Sequence, residues 1–241
     1  MSKKIIFNFF YILTINTSYD KIFNMLGIIV ALEKEVENLI NYSEKTTFEI
    51  ISGKKFYKCV FSNKEVIIAI SNVGKVASAM TCQLLIDKFK PSKILNFGSV
   101  GGIKERVSPL KLYAVEKCCQ YDFDLSAIDD CPIAYNQNYN DVFINLDVLE
   151  NELERVTLAT SDKFTHQKEQ IEIINSLNAS IYDMEGSAIA QVCKSNNLPL
   201  YMIKGVTDVY GSGLQGEQFI NNLNQVGKLL SEKVINIINI L

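Results

Sequence analysis

The chain has 241 residues, 48% hydrophobic and 21% charged, enough to bury one substantial core. Acids outnumber bases 27 to 24 for a net charge of -3, and only Arg106 and Arg155 are arginines, so the electrostatic footprint of a nucleic-acid binder is missing. Six cysteines without a CxxC pair and a single histidine, His166, give neither zinc-ligand spacing nor a disulfide framework, and the expectation is reduced, mostly buried thiols in a cytoplasmic protein with no metal or organic cofactor.

Residues 1–24 open with two lysines and an apolar run that Asn8 interrupts. No small-residue cleavage site follows, and the run is too short to span a bilayer. The expectation is an extension, or a misplaced start, ahead of a domain covering residues 25–241. From Leu26 onward short apolar runs alternate with helical stretches. "LGIIVA" (26–31) reads as a buried strand and "EKEVENLI" (33–40) as a helix. "FEIISG" and "KFYKCVF" flank Gly53 and Lys54 like a hairpin, and "EVIIAIS" (65–71) is a further strand. "KVASAMTCQLLIDKF" (75–89) is helical and stops before Pro91, after which "KILNFGS" runs as a strand into Gly101 and Gly102. "LYAVEKCC", "RVTLAT" and "ASIYDM" add strands, and in the first of these adjacent Cys118 and Cys119 point to opposite faces. "GSAIAQVCKSN" is a helix and "PLYMIKGVTD" the last core strand. Apolar residues at 219, 223, 226, 229, 230, 234 and 237 line one face of a long closing helix. The fold class is α/β: one domain with a mixed central sheet surrounded by helices and with functional groups at strand ends.

Four strand ends carry polar residues. Glu33 and Glu35 follow the first strand, where acids also suit a helix dipole. "NFGSVGG" (96–102) brings Ser99 and closely approachable backbone, or is an ordinary turn. In "IYDMEGSAIA" a carboxylate at 185 can accept two hydrogen bonds from a vicinal diol, whereas Asp183 reads better as a helix cap. Asp208, at the end of an apolar strand, is either a turn aspartate or a buried acid with a raised pKa, suited to proton donation.

Taken in order, "GIIVALEKEVE", "SNVGKVASA", "NFGSVGG", "YDFDLSA", "SDKF", "DMEGSAIAQVC" and "TDV" resemble the 5'-methylthioadenosine/S-adenosylhomocysteine nucleosidase family, within the nucleoside phosphorylase and hydrolase superfamily, from about Met25 to the C-terminus. The resemblance implies a nucleoside phosphorylase-like fold and hydrolysis of the N-glycosidic bond of those two nucleosides, with 5'-deoxyadenosine as a further candidate. It makes Glu35 the residue that activates water and Asp208 the acid that protonates adenine at N7. Glu185 and Met184 hold the ribose, Ser99 lies near the water and the base, Phe164 stacks on adenine, and the backbone of Thr165 reads the base edge. Leu125 and Ile128 lie near the sugar and its 5' substituent, Ile128 lent by the partner of a homodimer.

The sequence departs from the family pattern at three places. Leu32 replaces a common methionine. Lys204 replaces an arginine near the ribose and the acids, keeping the charge and losing the bidentate fork. In "VYGSGLQGEQF" no aromatic stands where the family's ribose-covering phenylalanine belongs, Phe219 aligning with a later helix residue and Tyr210 offering itself from another direction. A futalosine-type purine nucleosidase and a phosphorylase are the alternative activities. Phosphate pockets recruit arginine or a helix N-terminus, and neither arginine falls in such a stretch.

Overall fold

In a computed structural model, the structure describes residues 25–149 and 153–241, so the reading of residues 1–24 falls outside the described residues. Ten strands form one mixed sheet: β1 (Leu26–Val30), β2 (Lys45–Ile51), β3 (Lys54–Phe61), β4 (Lys64–Ile70), β5 (Lys93–Ile103), β6 (Leu112–Gln120), β7 (Ile144–Asn145), β8 (Arg155–Thr160), β9 (Ile181–Asp183) and β10 (Leu200–Tyr210). The helices are α1 (Glu33–Asn41), α2 (Lys75–Phe89), α3 (Lys168–Ser176), α4 (Gly186–Ser195) and α5 (Gln215–Ile240).

Part of the sheet closes on itself. β5 pairs with β10, β10 with β6, β6 with β8, β8 with β9, and β9 again with β5, while an arm of β1, β4, β3 and β2 extends from the near half of β5. The long β5 therefore changes neighbours along one edge. Its residues 93–96 pair with β1 and its residues 101–102 with β9, which leaves 97–100 without a strand on that side. Ligand crevices in α/β sheets form at such divergences.

Two apolar layers cover the sheet. On one face Val226, Leu230, Val234 and Ile237 of α5 pack with Val36 and Leu39 of α1 against Ile28, Val30, Ile68 and Leu95. On the other, Cys82 and Leu85 of α2 and Ile189 and Cys193 of α4 pack against Ile29, Ile94, Leu158 and Met202. Cys118 belongs to this second layer, whereas Cys119 joins a smaller cluster with Tyr121, Ile171 and Ile174, as the alternation of a strand requires. All six cysteines are free thiols, and no helix among the described residues is long and apolar enough to cross a membrane.

The structure alters several expected boundaries. The β2–β3 turn is made by Ser52 and Gly53, both at positive φ (51° and 75°), which matches the twist of paired strands. β5 does not turn at its glycines but runs through them, pairing there with β9 and β10, and the close packing requires glycine: a Cβ on Gly101 would lie 2.2 Å from the Tyr182 ring and one on Gly102 2.2 Å from Val107. β10 likewise continues past Asp208 to Tyr210, with a register shift between Val206 and Asp208. Helix α3 and the two-residue β7 were not foreseen; α3 buries only the short stripe of Gln170, Ile171 and Ile174, a weak periodic signal.

Candidate active site

At the split in β5 lies a cavity of about 220 Å³ lined by the ends of β1, β5, β9 and β10 and by the segment after β8. The first wall is Glu35. Its position in the first turn of α1 lets Oε2 accept the Leu32 amide at 2.9 Å, one of the donors that a helix start leaves free. Oε1 turns toward β5 and accepts both the amide and the hydroxyl of Ser99, at 2.7 and 2.6 Å. Ser99 sits where β5 lacks a neighbouring strand on one side, so its amide is free to bind a side chain.

The second wall is the β9–α4 junction. Asp183 accepts the Gly186 amide at 3.0 Å, the Glu185 amide at 3.3 Å and the Thr160 hydroxyl at 2.7 Å, so it caps the start of α4. It also pairs with Lys204 Nζ at 2.9 Å, both side chains being 2% exposed. Glu185 is held differently. One oxygen accepts the amide of Gly74, a residue at φ 104° that a side chain would strain. Burial, reinforced by the neighbouring Asp183 charge, pushes the Glu185 carboxyl up to about 7, against the Gly74 amide and Lys204, which favour the anion.

The third wall is Asp208, 1% exposed. Its Oδ1 accepts the Thr207 hydroxyl at 2.7 Å, while Oδ2 has no partner among the described residues. Burial raises its pKa, with Thr207 and Gln215 opposing. The arrangement is a buried carboxyl inclined to hold its proton, with one oxygen uncommitted.

Of the residues singled out in the sequence, Leu32, Glu35, Ser99, Phe164, Thr165, Met184, Glu185 and Asp208 all line this one cavity. Lys204 does not. It lies behind the wall, on a separate small cavity of about 10 Å³ that Glu35, Ser99 and Glu185 also border, and its ammonium is committed to Asp183. Leu125 is half-buried and Ile128 is 84% exposed, and neither lines the cavity of its own chain. The Thr165 carbonyl already accepts Gln215 Nε2 at 2.7 Å. Phe219, assigned from the sequence to the later helix, does line the cavity, its ring edge-on to Phe164 with centroids 6.2 Å apart; Tyr210 instead packs against the cluster around Tyr182. Phe219, near the start of α5, thus brings an aromatic to the mouth from a position that linear alignment passes over.

The family model described as the phosphorylase superfamily matches residues 25–239. A 5'-methylthioadenosine/S-adenosylhomocysteine nucleosidase of Psychromonas ingrahamii is 30% identical over 232 residues, covering 89% of this chain and 99% of its own. The chain belongs to that nucleosidase family. Its fold is shared with a Helicobacter pylori nucleosidase mutant holding 5'-methylthioadenosine in its active site (TM-score 0.83, 24% identity, 90% of this chain and 99% of the other). It is shared equally with a futalosine hydrolase of the same organism (TM-score 0.83, 24% identity, 91% and 99%). Within this nucleosidase fold, the set of carboxyl groups on a single cavity, and not the fold, has to carry the chemistry.

Proposed function

We propose that the chain, acting as one nucleosidase domain over residues 25–241, hydrolyses the N-glycosidic bond of 5'-methylthioadenosine and S-adenosylhomocysteine, releasing adenine and the 5-thio-substituted ribose. The observation that carries the reading is Asp208: a buried carboxyl with a raised pKa and one oxygen without a hydrogen-bond partner among the described residues, on the cavity that Glu35 and Glu185 share. Departure of the base places positive charge on the sugar and negative charge on the purine. Asp208 gives its proton to adenine N7, Glu35 with Ser99 orients and deprotonates the attacking water, and Glu185 accepts hydrogen bonds from the ribose hydroxyls while Met184 packs on the ring. Phe164 stacks on the base and Thr165 presents backbone to its edge.

Lys204 acts from behind, neutralising Asp183 and favouring the Glu185 anion. Leu125 lies near the sugar and its 5' substituent, and a homodimer supplies Ile128 to the 5' pocket of the partner subunit; the exposure of Ile128, together with exposed Val73, Val76 and Met80 just before and within the start of α2, supports this. The setting is cytoplasmic methionine salvage. Water is favoured over phosphate as nucleophile because no arginine lines the cavity and two glutamates do. Replacing Asp208→Asn tests the reading: turnover falls by about 10²–10⁴, the usual worth of a positioned general acid, while adenine still binds. Undiminished turnover would refute the assignment.

A further inference from the structure

Helix α5 carries three side-chain amides, Gln215, Gln218 and Asn222, at i, i+3 and i+7, and therefore on one face. All three are half-buried. Gln218 Oε1 accepts the Val209 amide at 3.2 Å and Asn222 Nδ2 donates to the Thr207 carbonyl at 2.7 Å. The backbone is thus gripped on both sides of Asp208. Gln215 Nε2 makes the third tie, to the Thr165 carbonyl at 2.7 Å and the Tyr182 hydroxyl at 2.8 Å.

The grip falls where β10 is least constrained by other strands. β6 pairs with it only at residues 203–205, and its register with β5 shifts between Val206 and Asp208. The shift leaves Thr207 without a strand-pairing partner on β5 directly before Asp208, which pairs with Gly101, so the backbone on both sides of Asp208 decides where its carboxyl points. The gripping groups are also uncharged. A lysine beside Asp208 would favour its ionised form, whereas an amide fixes the backbone without adding charge next to an acid that must keep its proton.

We propose that Gln218 and Asn222 are positioning residues for Asp208, holding Thr207 and Val209 on either side of it so that its uncommitted oxygen faces the departing base. The proposal rests on the nucleosidase reading and extends it to a helix face that does not touch the substrate. Gln218→Met deletes the acceptor at nearly constant shape, Asn222→Leu deletes the donor, and Gln218→Glu keeps the acceptor. The expected result is a kcat for adenine release lowered about tenfold in the first two, the scale of one hydrogen bond on a barrier, with KM within about twofold and with most of kcat restored in Gln218→Glu. Wild-type kcat in Gln218→Met and Asn222→Leu would overturn it, as would a Gln218→Glu protein no better than Gln218→Met. Amide hydrogen exchange at Val209 in the unmodified protein needs neither turnover nor a stable variant: protection supports the grip, and exchange as fast as in an unstructured peptide overturns it. Adenine release by the unmodified protein separately tests the nucleosidase reading.

Discussion

Replacing Lys204→Met would expose how much the site depends on a charge that does not touch the substrate. Lys204 and Asp183 are 2.9 Å apart and each 2% exposed, so losing the ammonium leaves a buried carboxylate without its countercharge. Breaking such a pair costs about 3–5 kcal/mol. Asp183 keeps the Gly186 and Glu185 amides and the Thr160 hydroxyl, which places the expected loss at the low end, about 3 kcal/mol. For a fold of this size that is a fall in Tm of roughly 6–12 °C. Urea unfolding followed by far-ultraviolet circular dichroism measures it, the chain having no tryptophan. Adding Asp183→Asn removes the stranded charge and keeps an acceptor for α4, so the double variant recovers at least half of the loss. Because Lys204 also favours the Glu185 anion, Glu185 in Lys204→Met titrates above its present value of about 7, and kcat/KM rises at a higher pH than in the unmodified protein. A Lys204→Met protein within about 0.5 kcal/mol of the parent, or a double variant no more stable than the single, would refute the reasoning.

Three further outcomes follow from the same geometry. The Glu185 carboxyl titrates near 7 when folded against an ordinary 4.5, so the folded chain binds a proton that the unfolded chain has released between those values. The associated stability is complete below about pH 4.5 and lost as pH rises through 7, roughly 3 kcal/mol in all; Glu185→Gln removes this slope from urea titrations between pH 5 and 8, and an identical slope in both proteins would contradict it. Since the ribose clamp requires the anion, apparent affinity for 5'-methylthioadenosine improves as pH rises through 7, and binding releases a proton measurable by calorimetry in buffers of different ionisation enthalpy. Gly101→Ala drives a Cβ to 2.2 Å from the Tyr182 ring and costs about 1–3 kcal/mol by thermal unfolding, whereas unchanged stability would mean that the ring has room to move.

The α/β alternation and most elements were readable from the sequence because their signals are local: apolar runs bounded by turn residues, and a 3.6-residue period in α1 and α5. The closing of the sheet was not. Which strand pairs with β5 at each height depends on contacts between segments far apart in the chain, and no periodicity records it. The same distinction holds at the site. Glu35, Glu185 and Asp208 were visible as acids in apolar surroundings, and Asp183 as a cap. That Lys204 would spend its charge on Asp183 required knowing that β9 and β10 bring residues 21 positions apart to 2.9 Å. Phe219 was assigned to the closing helix and not to the cavity because an amphipathic stripe does not say where core ends and cavity begins. Gln215 and Gln218 fall in the stretch read as the loop after Asp208, which the structure makes the first turn of α5, and Asn222 was given no role. Only the register shift before Asp208 and the backbone groups around it give them partners.

The most direct test of the account is adenine release from 5'-methylthioadenosine by the purified chain, with and without phosphate, beside S-adenosylhomocysteine, inosine and futalosine. The account predicts equal adenine release from both thioether nucleosides whether or not phosphate is present, with free 5-thio-substituted ribose as the second product. A sugar phosphate as product, or release confined to inosine or futalosine, would contradict it.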